Sequence, residues 1–88
     1  MTIIDFKPRW REELVARSSE GILIFELTMG QYHVYFPTLE RWESTVPAWA
    51  KGKWQVYQDQ CALWCKGNRI PLTITDDAYV YEEKPAAT

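Results

Sequence analysis

Two cysteines, one histidine and a few carboxylates are the side chains of this sequence whose types and spacing could do chemistry. Cys61 and Cys65 are four residues apart, hence neighbours on one face of a helix, and could give a soft metal two thiolate ligands. Structural zinc takes four ligands, whereas the chain offers only His33 beside this pair and has no other cysteine. The expectation is therefore no metal, with both thiols buried as small hydrophobes. Glu26 and His33 form the one acid–base pair with an expected geometry, cross-strand neighbours in which a carboxylate could orient an imidazole. No Ser, Thr or Cys is placed beside them as a nucleophile, so no confident catalytic residue is assigned. Asp76-Asp77 suits a solvated turn better than a cation site. The four glycines, Gly21, Gly30, Gly52 and Gly67, are isolated, so no phosphate-cradling loop is present and no cofactor is expected.

The stronger signal is aromatic. Five tryptophans, five tyrosines and three phenylalanines stand in 88 residues, and aromatic side chains cover large contact area at small entropic cost. Two candidate interaction surfaces follow. One is a sheet face carrying Ile24, Tyr35, Tyr79 and Tyr81. The other is the helical line Trp49, Val56, Leu63, seven residues apart. The leading expectation is a small acidic protein that binds another protein or a second copy of itself, in the manner of an inhibitor. Its competitors are a small enzyme or ligand-binding protein centred on His33 and Glu26, and a nucleic-acid-associated protein using Lys51, Lys53, Lys66 and Arg69. The net charge of −2 counts against nucleic acid.

These residues need elements to place them. Ile3, Ile4 and Phe6, closed by Pro8, read as an extended segment suited to a sheet edge. Residues 9 to 17 fit helix or strand, with composition leaning to helix. Ser18 to Gly21 is a turn. The clearest β signal is a hairpin, GILIFELT then QYHVYF around Met29-Gly30. An even loop pairs Leu27, Phe25 and Leu23 with Tyr32, Val34 and Phe36 on one side, and Glu26 and Ile24 with His33 and Tyr35 on the other. Thr38 is expected to cap a short helix with Leu39, Trp42 and Val46 inward. A long helix should run from Val46 to Lys66, with Pro47 in its first turn and Gly67 as a left-handed cap, its core stripe being Ala50, Trp54, Tyr57, Cys61 and Trp64. Residues 72 to 75 and 78 to 82 read as a second hairpin around Asp76-Asp77.

The fold expected is α+β: an antiparallel sheet of about four strands in two hairpins, with one long and one short helix packed on one face. Residues 1 to 83 make a single domain, and 84 to 88 a flexible C-terminal tail. With 47% hydrophobic and 25% charged residues the chain is globular in composition. Residues 41 to 69 carry five basic against two acidic groups, and 70 to 88 four acidic against one basic. No apolar run is long enough to span a membrane, and no basic-then-apolar leader opens the sequence, so a cytoplasmic protein without membrane contact is expected.

Overall fold

The computed structural model describes residues 3–84. Its elements are β1 (Asp5–Arg9), β2 (Glu13–Arg17), β3 (Ile22–Thr28), β4 (His33–Pro37), α1 (Leu39–Thr45), a 3₁₀ turn (Ala48–Ala50), α2 (Trp54–Gly67), β5 (Leu72–Thr75) and β6 (Val80–Glu83). The class is α+β as expected. The sheet is larger and mixed: six strands, ordered β1-β2-β3-β4-β5, with β6 also on β3. Within it β3 is central. One edge pairs with β2, and the other pairs with β6 along Ile22 to Phe25, then with β4 along Glu26 to Thr28.

The expected second hairpin does not form. β5 runs parallel to β4, and β6 runs antiparallel to β3. Alternating patterns mark both segments as strands but carry no information about partners; the helices between β4 and β5 supply the crossover that a parallel pair needs. Residues 13–17 are a strand rather than a helix, because pairing with β1 and β3 buries Leu14 and Ala16 against the core and outweighs the helical leaning of Glu-Glu-Leu. The first hairpin keeps the expected even loop, but its register moves by two residues. Leu27 faces Val34, Glu26 faces Tyr35 and Thr28 faces His33. The apolar side is preserved because a shift of two changes partners without exchanging faces.

Thr38 caps α1 as expected, its hydroxyl accepting from the Arg41 N–H at 3.3 Å. Trp42 and Val46 point inward, whereas Leu39 is exposed. The long helix is interrupted. Gly52, at φ +80°, lies between the 3₁₀ turn and α2, which starts only at Trp54. That conformation suits glycine and ends helical continuity. At the other end Gly67 is still helical. Asn68 caps the helix, its side chain donating to the Trp64 carbonyl at 2.8 Å, and Arg69 takes the left-handed conformation at φ 58°.

One core forms between the helices and one sheet face. Leu14, Leu23, Phe25, Leu27, Val34, Phe36 and Val80 meet Trp42, Tyr57, Cys61 and Cys65, with Trp54 and Trp64 half-buried at the rim. At the β1 edge the Ile4 N–H donates to Gln60 Oε1 at 3.2 Å and Pro8 has no N–H, which blunts that edge for pairing with another chain. No described helix is long and apolar enough to cross a membrane. The expected tail beyond Lys84 lies outside the described residues.

Candidate functional site

The helices leave the other sheet face uncovered, and alternation decides what stands there: Asp5, Lys7 and Arg9 from β1, Glu13, Val15 and Arg17 from β2, Ile24 and Glu26 from β3, Tyr35 from β4, and Tyr81 and Glu83 from β6. Its most ordered part is a charge network. Arg9 donates through Nε and Nη2 to Glu13 Oε1 at 3.0 and 2.8 Å, and grips Glu83 bidentately at 2.8 and 2.6 Å. The Tyr81 hydroxyl donates to the second Glu13 oxygen. Accepting that bond, and the bonds from Arg9, holds the Glu13 carboxyl below its ordinary pKa; the Arg9 bonds do the same for Glu83. The Tyr81 hydroxyl is pushed up to about 12 because its proton is held by Glu13.

These shifts give a pH test. Glu13 and Glu83 are depressed in the folded state, so their contribution is fully present above the ordinary glutamate value, 4.5, and is lost as pH falls through the lower folded values. At pH 6 the Arg9→Met variant should be less stable than the parent by about 1 kcal/mol, roughly 4–8 °C in Tm, given the partial exposure of all three groups. The two thermal curves should converge as pH falls below the lowered folded values of the two carboxyls. A difference that persists undiminished there would show that Arg9 acts through its alkyl stem rather than its charge.

Beside this network, Tyr79 packs against Tyr81 with ring centroids 5.7 Å apart and donates its hydroxyl to the Glu12 carbonyl at 3.1 Å. Burial, then the neighbouring carboxylates of Glu13, Glu26 and Glu12, raise its pKa. The same Glu12 carbonyl accepts from the Leu27 N–H, and the Glu12 N–H meets the Met29 sulfur at 3.4 Å. The tip of the β1–β2 hairpin is thus seated against β3. At that tip Trp10 is 76% exposed, with the Arg11 guanidinium 5.8 Å from its ring centroid.

The expected site residues fall into three groups. Tyr35, Tyr79 and Tyr81 do lie towards the uncovered face, but Ile24 is fully buried there, flanked by Val15 and Tyr81 in the register. Trp49, Val56 and Leu63 are separated by the break at Gly52. Val56 and Leu63 are exposed on α2, at 42% and 69%, whereas the Trp49 indole is half-buried and donates to Glu82 at 3.0 Å. The expected His33–Glu26 pairing is corrected by the two-residue register change. His33 Nε2 lies 2.7 Å from Thr73 Oγ1 and its ring stacks on Tyr35 at 4.4 Å, while Glu26 faces Tyr35 and Glu13.

Cys61 and Cys65 are both buried and free; their mutual hydrogen bond and burial push the Cys61 thiol up. Among the described residues no group of three or more His, Cys, Asp or Glu is placed to hold a metal ion. Asp76 accepts from the Thr38 hydroxyl, tying the β5–β6 turn to the cap of α1. Of the basic residues, Lys53 is paired with Glu20, while Lys51, Lys66 and Arg69 face water.

Trp10 was missed in the sequence because residues 9 to 17 fit two patterns. Its signal was local: charged residues on both sides, in Arg-Trp-Arg-Glu-Glu, and no apolar partner at sheet spacing across the turn. No protein family, curated protein or solved structure matches the chain.

Proposed function

We propose that the protein works by binding another protein through the tip of the β1–β2 hairpin and the adjoining uncovered sheet face. The exposure of Trp10 carries this reading. The other four tryptophans are used by the fold: Trp42, Trp49 and Trp54 donate their indole N–H to Ala50, Glu82 and Pro37, and Trp64 packs against Phe6. Trp10 alone is more than half exposed. A tryptophan beside an arginine has the composition of an interface hot spot, and Tyr79 and Tyr81 extend the same apolar and hydrogen-bonding character onto the sheet. The ordered Arg9, Glu13 and Glu83 network gives that surface fixed charges, which suit orientation and specificity more than raw affinity.

The test compares partner capture by the parent chain with capture by Trp10→Ala and Tyr81→Ala. Trp10→Ala should weaken a captured interaction at least tenfold, about 1.4 kcal/mol, and leave Tm within about 2 °C, since surface substitutions typically change stability by under about 0.5 kcal/mol. Light scattering on the same samples shows whether the partner is a second copy. A partner retained with equal affinity by both variants would sink the proposal.

A further inference from the structure

The sheet ends differently on its two sides. At the β1 edge Pro8 and the charges of Asp5 and Lys7 discourage an added strand, whereas β5, at the far edge, is Leu-Thr-Ile-Thr, without charge, proline or glycine. No described strand lies beyond β5. Which of its backbone groups are free follows from the parallel ladder. The Val34 N–H donates to the Pro71 carbonyl at 3.0 Å, and Val34 stands level with Leu72. In a parallel pair that pattern turns the N–H and C=O of Thr73 towards β4 and those of Leu72 and Ile74 outward. The Ile74 side chain is 42% exposed, and Leu39, which lines a shallow hollow with Asp76 at the end of β5, is 53% exposed. Trp10 stands on the opposite edge, so contact there covers neither.

The edge suits a second copy of itself. Antiparallel pairing about a two-fold axis at Ile74 lets the outward N–H and C=O of Ile74 exchange hydrogen bonds with the same groups of the other copy, and sets Thr73 opposite Thr75. Such β-branched cross-strand pairs are favourable, and no like charges meet along the strand. The charges at its two ends differ in sign. Lys66 and Arg69 precede β5, while Asp76 and Asp77 follow it, with Glu40, Glu43 and a single cation, Arg41, around Asp76. Antiparallel pairing lays the basic end of each copy beside the acidic end of the other; a parallel arrangement would set like against like. In that register Asp77 falls opposite Pro71 of the second copy, two residues from its Arg69. Arg69 and Asp77 are both exposed, and neither side chain has a hydrogen bond or ion pair to a described residue. Pairing of β5 with β1 of another copy would instead be head-to-tail and open-ended, and Pro8 opposes it.

We infer that β5 is a self-association edge: two copies pair antiparallel through β5, centred on Ile74, and join their sheets into one. The strand is four residues long, so the interface is small and the dimer weak. Its Kd should be about 0.1 mM.

Sedimentation equilibrium of the full chain from about 10 µM to 1 mM tests this, with amide NMR over the same range. A monomer–dimer equilibrium is expected, with concentration-dependent shifts at Leu72 and Ile74. Ile74→Lys should weaken the dimer at least tenfold, and Arg69→Asp at least fivefold. Adding Asp77→Lys to Arg69→Asp should restore most of the parent affinity, since the exchanged charges meet across the two-fold axis. Trp10→Ala should dimerise like the parent. The inference is overturned by a chain that stays monomeric at the highest concentration, or by a dimer indifferent to both Ile74→Lys and Arg69→Asp. A dimer lost in Trp10→Ala and kept in Ile74→Lys also overturns it, while leaving the reading of Trp10 standing.

Discussion

Trp42→Ala should remove a large share of the chain's stability at 25 °C and shift its urea midpoint well below that of the parent. The indole is fully buried at the point where both helices meet the sheet, with ring centroids 6.0 Å from Phe25, 5.9 Å from Phe36 and 5.2 Å from Tyr57. Its Nε1 donates to the Ala50 carbonyl at 3.0 Å, which fixes the 3₁₀ turn ahead of α2. Removing a buried tryptophan costs about 3–5 kcal/mol, and a domain of this size has a total stability of roughly 4–13 kcal/mol. Trp42→Phe separates the two roles. It keeps an aromatic body in the cluster and removes the N–H, while the Ala50 carbonyl still accepts from the Lys53 N–H at 3.1 Å. Its cost should be about 1–2 kcal/mol. Urea unfolding measures both; a Trp42→Ala midpoint within 0.5 M of the parent would contradict the central place given to this ring, because a slope of about 1–2 kcal/mol/M would translate it to under 1 kcal/mol.

The importance of Trp42 was legible in the sequence, since i, i+3, i+7 spacing from a capped start places it inward whatever the sheet does. So were the two helices, the apolar side of the first hairpin and the buried stripe through Tyr57 and Cys61. These all depend on local periodicity, which burial enforces. What could not be read depends on partner choice. β5 and β6 look alike as strands, and only the free edges of β4 and β3 decide where each one docks. The two-residue register change at β3–β4 leaves both faces intact, so the hydrophobic pattern is blind to it, yet it separates Glu26 from His33 and dissolves the one acid–base pair the sequence offered. Arg9, Glu13 and Glu83 come together from positions up to 74 residues apart. No spacing rule connects them, because their meeting depends on β6 docking against β3 and on side chains long enough to reach across the sheet.

The second large effect is expected at Gly21, where the helix layer grips the β2–β3 turn. A Cβ added there would lie 2.5 Å from Trp49 Cζ2 and 2.9 Å from Cε2, inside any tolerable contact. The indole has little freedom to retreat, since its Nε1 is bound to Glu82 on β6, and the turn is held on either side by Tyr57 donating to Ser18 and by Lys53 paired with Glu20. Gly21→Ala should therefore cost about 1–3 kcal/mol through overpacking. Trp49→Ala alone should cost about 2 kcal/mol, less than a fully buried tryptophan. The double variant should cost clearly less than the sum of the two, because removing the indole removes the three nearest atoms that the added methyl meets; the coupling should be about 1 kcal/mol or more. Additive losses by urea unfolding would mean that Gly21 is required for its backbone rather than for the ring above it. The same contact has a consequence on the opposite face. Glu82 and Glu83 are successive residues of β6, one held by Trp49 among the helices and the other by Arg9 on the uncovered side. Loosening Trp49 should therefore weaken the Arg9 network as well, and the stability difference produced by Arg9→Met at pH 6 should be smaller in the Trp49→Ala background than in the parent.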